Sequence, residues 1–367
     1  MPALTNHPDD AERGFVVGAL GRRLRIRVTG PGSDALATAF ARAWDALLLD
    51  PRSETDHELT LSTWADSPDS ITAALADASA RITRTLIDLN AGRGLLFHAA
   101  AVVGHDGRAI LLVGPSGAGK TTAVTRLAGA NGYLTDETVL VGHDGRVIPY
   151  PKPLSVDRGG PAKLQLAPGE LGLRVAEGAS YEVGRVVVLN RGSGAPGAPR
   201  SRRLDLIESI QALVPQLSGL EHHPAPIGAI AELIRRLGGI ELLSYTDVGE
   251  LDPAGLPVSP PLSAEEVAFS TVIGGTDDHP AAGSGLVRTR ASDAVETADV
   301  LVLAHGAAVR ALAGIAKTLW LETDQARPED ALLDRLRTVH GAAPGDERAL
   351  RGAIDDLVRA GVLEWRS

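Results

Sequence analysis

Two spacings of apolar residues alternate along the first part of the chain, and they predict different elements. Period-two alternation predicts strands around residues 24–28 and 57–64. Apolar residues three and four positions apart predict helices over 34–49 and 69–92. The pattern indicates an α/β lead-in region over residues 1–93, in which no chemistry is visible.

Continuous apolar runs then predict strands that are buried on both faces. They occur at 95–103 and 108–113, on either side of a short polar turn. A glycine-rich segment follows, then a helix predicted from Thr121 to about Ala130 and a strand predicted over 133–141. Alternating strands and helices of this kind are typical of an α/β fold.

Further predicted elements continue this region to about residue 245. Strands are expected at 184–190 and 239–245, and helices at 205–217 and 226–237. We therefore predict one α/β domain over 94–245.

Residues 246–284 are rich in Pro, Gly and Asp with little periodicity, which predicts a linker. Strand and helix patterns resume after this segment, and we predict a separate domain over 285–367. Its predicted strands lie at 286–290, 299–305 and 307–312, and its predicted helices at 314–321, 328–340 and 346–365.

The pentapeptide GHDGR occurs twice, at 104–108 and 142–146. A repeated His-Asp could indicate a metal or catalytic site. Asp-Gly between two apolar runs is, however, the signal of a hairpin turn. We predict turns for both copies.

Composition and charge narrow the class of protein. Of the 367 residues, 44% are hydrophobic and 22% charged, which is typical of globular proteins. The net charge of −10 argues against a nucleic-acid partner. The sequence has no cysteine, no signal-peptide layout and no apolar run near the ~18–20 residues that span a bilayer. We expect a soluble cytoplasmic protein that binds neither nucleic acid nor membrane.

The segment GPSGAGKT, Gly114 to Thr121, satisfies the P-loop pattern G-x-x-x-x-G-K-[ST] between a predicted strand and a predicted helix. Its glycines let backbone N–H groups point at phosphates, and the helix N-terminus adds partial positive charge. Lys120 is expected to bridge the β- and γ-phosphates, Thr121 to offer its hydroxyl to Mg²⁺, and Thr122 to reach an α-phosphate oxygen. The predicted site for ATP or GTP comprises Gly114, Ser116, Gly117, Ala118, Gly119, Lys120, Thr121 and Thr122.

Asp136 and Glu137 follow Lys120 by sixteen and seventeen residues, an interval that allows one helix and a returning strand. In an ATPase such a pair holds Mg²⁺ and polarises a water; in a kinase one carboxylate takes the proton from a substrate hydroxyl. A surface strand edge is the plainer alternative. We predict a metal site of Thr121, Asp136 and Glu137, with Asp136 and Lys120 as catalytic residues.

Two further polar features remain open at this point. His98 lies in an otherwise apolar strand, either as a satisfied core histidine or as a catalytic ring that reaches the carboxylate pair. Lys152 stands between two prolines and could touch phosphate, although a surface lysine is the plainer interpretation. His222 and His223 have no carboxylate or cysteine at ligand spacing, so we predict that both are exposed.

Four segments of the chain resemble the HPr kinase-related P-loop family: LLFHAAAV, GPSGAGKTT, YLTDETVLV and YPKPLSV. The resemblance is strong over 94–156 and weak to 245. The resemblance implies an HPr kinase/PEP carboxykinase-like fold. It implies that His98 assists the acceptor site, that Asp136 takes a proton from a serine hydroxyl, and that Glu137 is a metal partner. The acidic pair is Asp-Glu rather than Asp-Asp, and no Arg-Gly-Leu-Gly segment follows. The bacterial phosphocarrier is therefore not the expected substrate.

Residues 285–364 are similar to PqqD-like domains, the recognition elements of ribosomally made peptide pathways, in the order of their elements and a tryptophan on the first helix. The resemblance implies a winged-helix-like β3α3 domain that adds a leader peptide to its third strand, beside its third helix. A plain winged-helix packing module is the alternative. The implied peptide-binding residues are Ala308, Val309, Arg310, Arg351, Ile354 and Asp355.

Together these features predict a Mg-ATP-dependent kinase that phosphorylates a serine or threonine of a precursor peptide, such as a lasso-type peptide, after leader recognition. Two alternatives stay open: an ATPase that drives peptide handover to a partner enzyme, and a nucleotide-gated peptide adaptor without phosphoryl transfer. The interpretation also allows a homo-oligomer or a partner tailoring enzyme.

Overall fold

The structure, a computed structural model, describes residues 13–63, 65–129, 131–160, 162–193, 197–252, 254–274, 284–341 and 347–367. Within these ranges the protein is a mixed α/β chain with several sheets. Contacts divide it into two compact units, each interrupted along the sequence. The first comprises Met1–Leu204, Pro215–Gly219 and Ile240–Pro261, and the second Asp205–Val214, Leu220–Gly239 and Leu262–Ser367.

The first unit begins with a four-stranded sheet in the order β3-β1-β2-β4. Its strands are β1 (Arg13–Ala19), β2 (Arg22–Thr29), β3 (Leu48–Leu49) and β4 (His57–Ser62), and its helices are α1 (Ser33–Ala43) and α2 (Pro68–Asn90). Phe40 and Trp44 stack in its core with ring centroids 5.5 Å apart. The strands predicted around 24–28 and 57–64 and the helix predicted over 69–92 are present, whereas the helix predicted over 34–49 ends at Ala43 and Leu48–Leu49 form β3. Trp64 lies outside the described residues.

A second, nine-stranded sheet carries the glycine-rich loop. In chain order the elements of this part are β5 (Gly94–Val103), β6 (Ala109–Val113), α3 (Lys120–Ala128), β7 (Gly132–Thr135), β8 (Thr138–Gly142), β9 (Arg146–Val147), β10 (Leu154–Val156), β11 (Leu164–Leu166), β12 (Tyr181–Arg191), β13 (Arg200–Leu204), β14 (Leu217–Ser218) and β15 (Ile240–Tyr245). The order is β13-β15-β12-β6-β5-β8-β9, with β7 and β14 also paired to β5, while β10 and β11 form a separate hairpin. Strand β6 is therefore interior, and the loop that follows it starts from the middle of the sheet.

Both GHDGR copies form the predicted turns. In each turn the aspartate side chain accepts a hydrogen bond from the backbone N–H two residues on, Asp106 from Arg108 and Asp144 from Arg146, both at 3.0 Å. The two aspartates therefore shape hairpins, which satisfies the local backbone.

The single strand predicted over 133–141 is two strands. Strands β7 and β8 both pair with β5, and the chain bends between them at Asp136 and Glu137. The bend matters for the site, because adjacent residues of a regular strand point to opposite faces of a sheet.

The second unit contains five helices and two small sheets among its described residues. The helices are α4 (Leu206–Leu213), α5 (Pro226–Leu237), α6 (Gly314–Glu322), α7 (Glu329–His340) and α8 (Glu347–Arg359). The strands are β16 (Ser270–Gly274), β17 (Gly285–Arg288), β18 (Asp293–Glu296), β19 (Val300–His305), β20 (Ala308–Ala313) and β21 (Leu363–Arg366). One sheet has the order β16-β18-β19-β20, and β17 pairs with β21.

The C-terminal region differs from the prediction at several points. Strand β16 lies within the predicted linker, whose residues 275–283 fall outside the described ranges, and β18 was not predicted. The helix predicted to residue 365 ends at Arg359, since Gly361 has a φ of 70° and donates its N–H to Val358 O. Leu363–Arg366, predicted as helix, form β21, which pairs with β17.

In the described ranges we find no helix whose length and apolar character would suit it to crossing a membrane.

Candidate active site

The glycine-rich loop joins β6 to α3 and is held by the sheet beneath it. Leu111, Leu112 and Val113 at the end of β6 are fully buried. Gly117 and Gly119 have φ values of 84° and 90°, in the left-handed region that favours glycine. These conformations curl the chain back over the start of α3.

A tyrosine from another strand fixes the same loop. Tyr245, at the end of β15, donates its hydroxyl to Ala118 O at 2.6 Å. A Cβ added at Gly119 would lie 3.1 Å from the Tyr245 oxygen, closer than an ordinary van der Waals contact. The loop therefore packs closely against Tyr245, and a side chain at Gly119 would require the Tyr245 hydroxyl to shift.

The start of α3 fits a phosphate group. The helix has no side-chain cap at Gly119 and no acidic residue in its first turn, so its N–H groups and partial positive charge face an anion without competition. Lys120 is 7% exposed and donates to Gly114 O at 2.6 Å and to Pro115 O at 3.3 Å. Burial lowers the pKa of its ammonium group.

An open pocket of about 570 Å³ lies in front of the loop. All the predicted catalytic and metal residues line it, together with most of the predicted nucleotide-binding residues. Gly114 and Ala118 belong to the loop but not to the pocket wall. The wall is formed by His98, Ser116, Gly117, Gly119, Lys120, Thr121, Thr122, Asp136, Glu137, Lys152, Ser155, Lys163 and Arg191.

Asp136 is nearly buried, at 7% exposure, on the wall of this pocket. Tyr133 donates its hydroxyl to Oδ1 at 3.3 Å, and the Thr121 hydroxyl lies 3.5 Å from Oδ2. Burial raises the pKa of the Asp136 carboxyl; the positive charge of Lys152 opposes this shift and the negative charge of Glu137 adds to it. A carboxylate with a raised pKa is suited to accepting a proton near neutral pH.

Lys152 is not the surface lysine that the sequence suggested. It is 1% exposed, and its ammonium group lies 2.8 Å from Glu137 Oε2, 3.7 Å from Asp136 Oδ1 and 3.1 Å from Pro153 O. Burial acts to lower its pKa, but the two carboxylates outweigh it and raise the pKa above its usual value. Lys152 is therefore a fixed positive charge beside the acidic pair.

The proline-flanked segment that carries Lys152 is anchored from both sides. Tyr150 N donates to Leu134 O of β7 at 3.0 Å, and the fully buried Tyr150 hydroxyl lies 2.9 Å from the Thr83 hydroxyl of α2. Prolines on both sides of Lys152 restrict the backbone further. This anchoring explains how a lysine is held in a buried position.

His98 reaches the same pocket from β5. It pairs with Thr138, and the next residue, Ala99, donates its N–H to Glu137 O at 3.1 Å. The ring is exposed at the pocket surface, so His98 is not a buried core histidine. Partial burial and the charge of Lys120 lower its pKa.

The predicted metal residues fit an ion that is shared with a nucleotide. Thr121 and Asp136 present oxygen atoms at the pocket wall, and Glu137 is half exposed beside them. Across the described ranges, no group of three or more His, Asp or Glu side chains could hold a metal ion. Mg²⁺ is commonly held by one or two carboxylates, water and substrate phosphates, which this donor set allows.

The predicted peptide-binding residues lie in the second unit. Ala308, Val309 and Arg310 belong to β20, at the end of the sheet order. Asp355 on α8 is exposed, whereas Arg351 on the same helix pairs with Glu347 at 2.9 Å and with Glu329.

Ile354 is 1% exposed in the core of this unit, so the structure does not bring it to the surface with the others. Arg310 donates to Ala360 O at 2.9 Å, just beyond the end of α8, which places β20 near that helix.

Several residues at the site were not found from the sequence. Tyr133 and Tyr245 carry no local signal of their contacts, and Lys163 none of its place in the pocket. Arg191 could have been found, because it ends a buried run whose carboxyl end lies beside the loop strand. Elsewhere, His223 is 7% exposed, so the prediction that both neighbouring histidines are exposed is wrong for His223.

The fold and pocket define a mixed α/β protein with a glycine-rich, cation-bearing loop at the end of an interior strand. Residues 70–193 match the model of a family described as SynChlorMet cassette protein ScmC, and every residue of the pocket wall falls within this segment. Among solved structures, the chain is similar to the HPr(Ser) kinase/phosphatase from Coxiella burnetii. The identity is 14%, over 41% of this chain and 85% of that chain, with a TM-score of 0.24. No curated protein matches.

Proposed function

We propose that this protein is a Mg-ATP-dependent phosphotransferase whose acceptor is a serine or threonine hydroxyl of a ribosomally synthesised precursor peptide. The observation that carries the proposal is the meeting of three groups in one pocket: the Lys120 loop, the Thr121 hydroxyl, and the nearly buried Asp136 carboxylate 3.5 Å from that hydroxyl. A glycine-rich loop with a lysine is suited to phosphate, and a buried carboxylate is suited to accepting a proton.

Each group has a separate role in this proposal. The loop N–H groups, the start of α3 and Lys120 hold the polyphosphate and stabilise its negative charge. Thr121 and Glu137 would hold Mg²⁺, which would neutralise negative charge on the phosphates. The γ-phosphoryl group of bound ATP would pass to the acceptor oxygen with release of ADP, and Asp136 would receive the proton of the acceptor hydroxyl. His98, on the same wall as Glu137, orients the acceptor.

The second unit supplies the peptide in this proposal. Strand β20 ends its sheet, and the exposed or half-buried Ala308, Val309 and Arg310 lie along it. A leader peptide would add to this strand through backbone hydrogen bonds, with Asp355 on α8 near the added strand. Ile354 supports the core beneath it. We place the reaction in the cytoplasm, where ATP is available.

ATP hydrolysis is the second candidate. Glu137 is 42% exposed beside Asp136, so water has access to the acidic pair. In that case the carboxylates would polarise water, and the phosphoryl group would pass to water.

The test uses the full-length protein co-expressed with a candidate precursor peptide. Intact-mass spectrometry with fragmentation should show one added phosphate on a serine or threonine, and none when Lys120→Ala replaces the wild type. Release of inorganic phosphate with an unmodified peptide would select the ATPase. If the wild-type protein shows no heat of binding with any Mg-purine triphosphate, the proposal fails.

A further inference from the structure

The Lys152 ammonium group is held inside the protein by two short contacts and one longer ion pair. An ammonium group has three N–H donors and no acceptor. The three oxygens around it belong to Glu137 at 2.8 Å, Pro153 at 3.1 Å and Asp136 at 3.7 Å. With 1% exposure, the side chain cannot swing out to meet a substrate without breaking these contacts. We therefore expect Lys152 to act through Asp136 and Glu137 and not by contacting a substrate.

The bend between β7 and β8 brings both partners to this one cation. In a regular strand Asp136 and Glu137 would point to opposite faces. Here both carboxylates lie within 4 Å of Lys152 Nζ, and both line the pocket. Lys152 thus offsets the repulsion between two adjacent carboxylates and fixes their spacing.

The same contact changes what the pair can bind. Two carboxylates and one ammonium carry a single net negative charge, and in the described chain no third acidic or histidine ligand completes a metal site. A divalent cation that arrives alone meets the two carboxylates together with the repelling ammonium group of Lys152, which lies within 4 Å of both. Nucleotide phosphates would add oxygen ligands and negative charge on the open side of the pocket.

We propose that Lys152 is a positioning residue that makes divalent-cation binding at Glu137, beside Asp136, conditional on bound nucleotide. The inference rests on the proposed function for the nucleotide. In this proposal Lys152 holds the two carboxylates close together and disfavours the binding of a free metal ion. The metal and the nucleotide then enter the site together.

The test is a titration of the full-length protein with Mn²⁺ in the absence of nucleotide. Binding is measured by calorimetry and by the electron paramagnetic resonance signal of the Mn²⁺ that stays free. Wild type should bind Mn²⁺ weakly, and its affinity for Mn²⁺ should rise when AMP-PNP is present. Lys152→Gln removes the charge and leaves a shorter side chain with N–H donors, so it should bind Mn²⁺ alone at least about tenfold more tightly. Lys152→Arg keeps the charge and should behave as wild type.

Lys317→Gln is the matched control, because it removes the same charge from a lysine that is also paired with a glutamate, Glu296 at 2.9 Å, but that does not line the pocket. Its Mn²⁺ affinity should not change. Adding Glu137→Gln to Lys152→Gln should abolish the gain, since a ligand is lost. Circular dichroism checks that each variant is folded.

Two results would overturn the inference. One is a wild-type protein that binds Mn²⁺ equally well with and without AMP-PNP, a measurement that needs no variant to fold. The other is a folded Lys152→Gln variant whose affinity for Mn²⁺ alone does not exceed that of wild type. The comparison of variants involves neither nucleotide nor peptide. A protein that transfers no phosphate to any peptide would therefore refute the proposed function without deciding the role of Lys152.

Discussion

Replacing Asp136 with asparagine separates the chemistry of the pocket from its architecture. The amide has nearly the same shape, and its oxygen can still accept the hydrogen bond that Tyr133 donates at 3.3 Å. It cannot accept a proton from an acceptor hydroxyl. General-base catalysis contributes about 100- to 10,000-fold in rate, or about 3–5 kcal/mol, so the transfer rate of Asp136→Asn should fall by that factor.

The same substitution should not lower the stability of the fold. Burial raises the pKa of Asp136, which means that the folded state disfavours the ionised carboxylate at neutral pH. Asparagine removes that charge, while Lys152 keeps Glu137 at 2.8 Å and Pro153 O at 3.1 Å. We therefore expect an unfolding temperature equal to or above that of wild type at pH 7.5, and a lower one is not expected from these contacts.

Single-turnover transfer of labelled phosphate, at saturating Mg-ATP, measures the rate, and differential scanning calorimetry measures the unfolding temperature.

Glu137→Gln is the matched control: it removes the neighbouring charge from a half-exposed side chain and should lower the rate much less at saturating Mg²⁺. The rate of wild type should also rise with pH through the raised pKa of Asp136, since only the ionised form accepts a proton. Near-wild-type transfer by Asp136→Asn would refute the base assignment, and a clear fall in unfolding temperature would refute the argument from burial.

Two further predictions concern single residues of the first unit. Gly119→Ala places a side chain at φ 90° and 3.1 Å from the Tyr245 hydroxyl, so it should lower the free energy of unfolding by about 1–2 kcal/mol and weaken Mg-ATP binding in calorimetry. Gly107→Ala, at φ 78° with no atom within 4 Å, should show the strain alone, without the loss of affinity. Burial pushes the pKa of the fully buried Glu241 upward, but hydrogen bonds and charge from Arg185 at 2.8 Å outweigh it and hold the pKa below its usual value. Glu241→Gln should therefore lower the free energy of unfolding by roughly 3 kcal/mol at pH 7 in urea titrations, and the difference should shrink as pH falls through the lowered pKa, because protonation of the carboxylate removes the same stabilisation in wild type.

Local sequence patterns predicted the parts of the fold that are defined by residues close together in the sequence. The apolar run before Gly114, the glycines at 117 and 119, and Lys120 define strand, loop and helix within a dozen residues, and the structure has them in that order. The interval to Asp136 correctly indicated a returning strand beside the loop. These features depend on backbone conformation and spacing, which a single sequence contains.

Contacts between distant segments were not predictable in the same way. Nothing near Lys152 in the sequence identifies its partners or its burial, because Asp136 and Glu137 lie at the bend between β7 and β8, about fifteen residues earlier in the chain. The pairing of β17 with β21 likewise joins segments about eighty residues apart in the chain. A helix pattern continued past Arg359 because its apolar residues kept the right spacing, although Gly361 ends it. Such features follow from tertiary packing, which overrides local propensity.

The contacts of Asp136 also bear on how two proposed roles can be divided. Tyr133 and Lys152 both contact Oδ1, whereas the Thr121 hydroxyl, the proposed metal ligand, approaches Oδ2. An oxygen that holds Mg²⁺ is a poor proton acceptor, so Oδ2 cannot serve as metal ligand and base in the same step. Glu137 has one oxygen on Lys152 and a half-exposed side chain, which leaves it able to take the metal. The division that agrees with these contacts gives Mg²⁺ to Thr121 and Glu137 and the proton to Asp136, so Glu137→Gln should act through the Mg²⁺ requirement and Asp136→Asn through the rate.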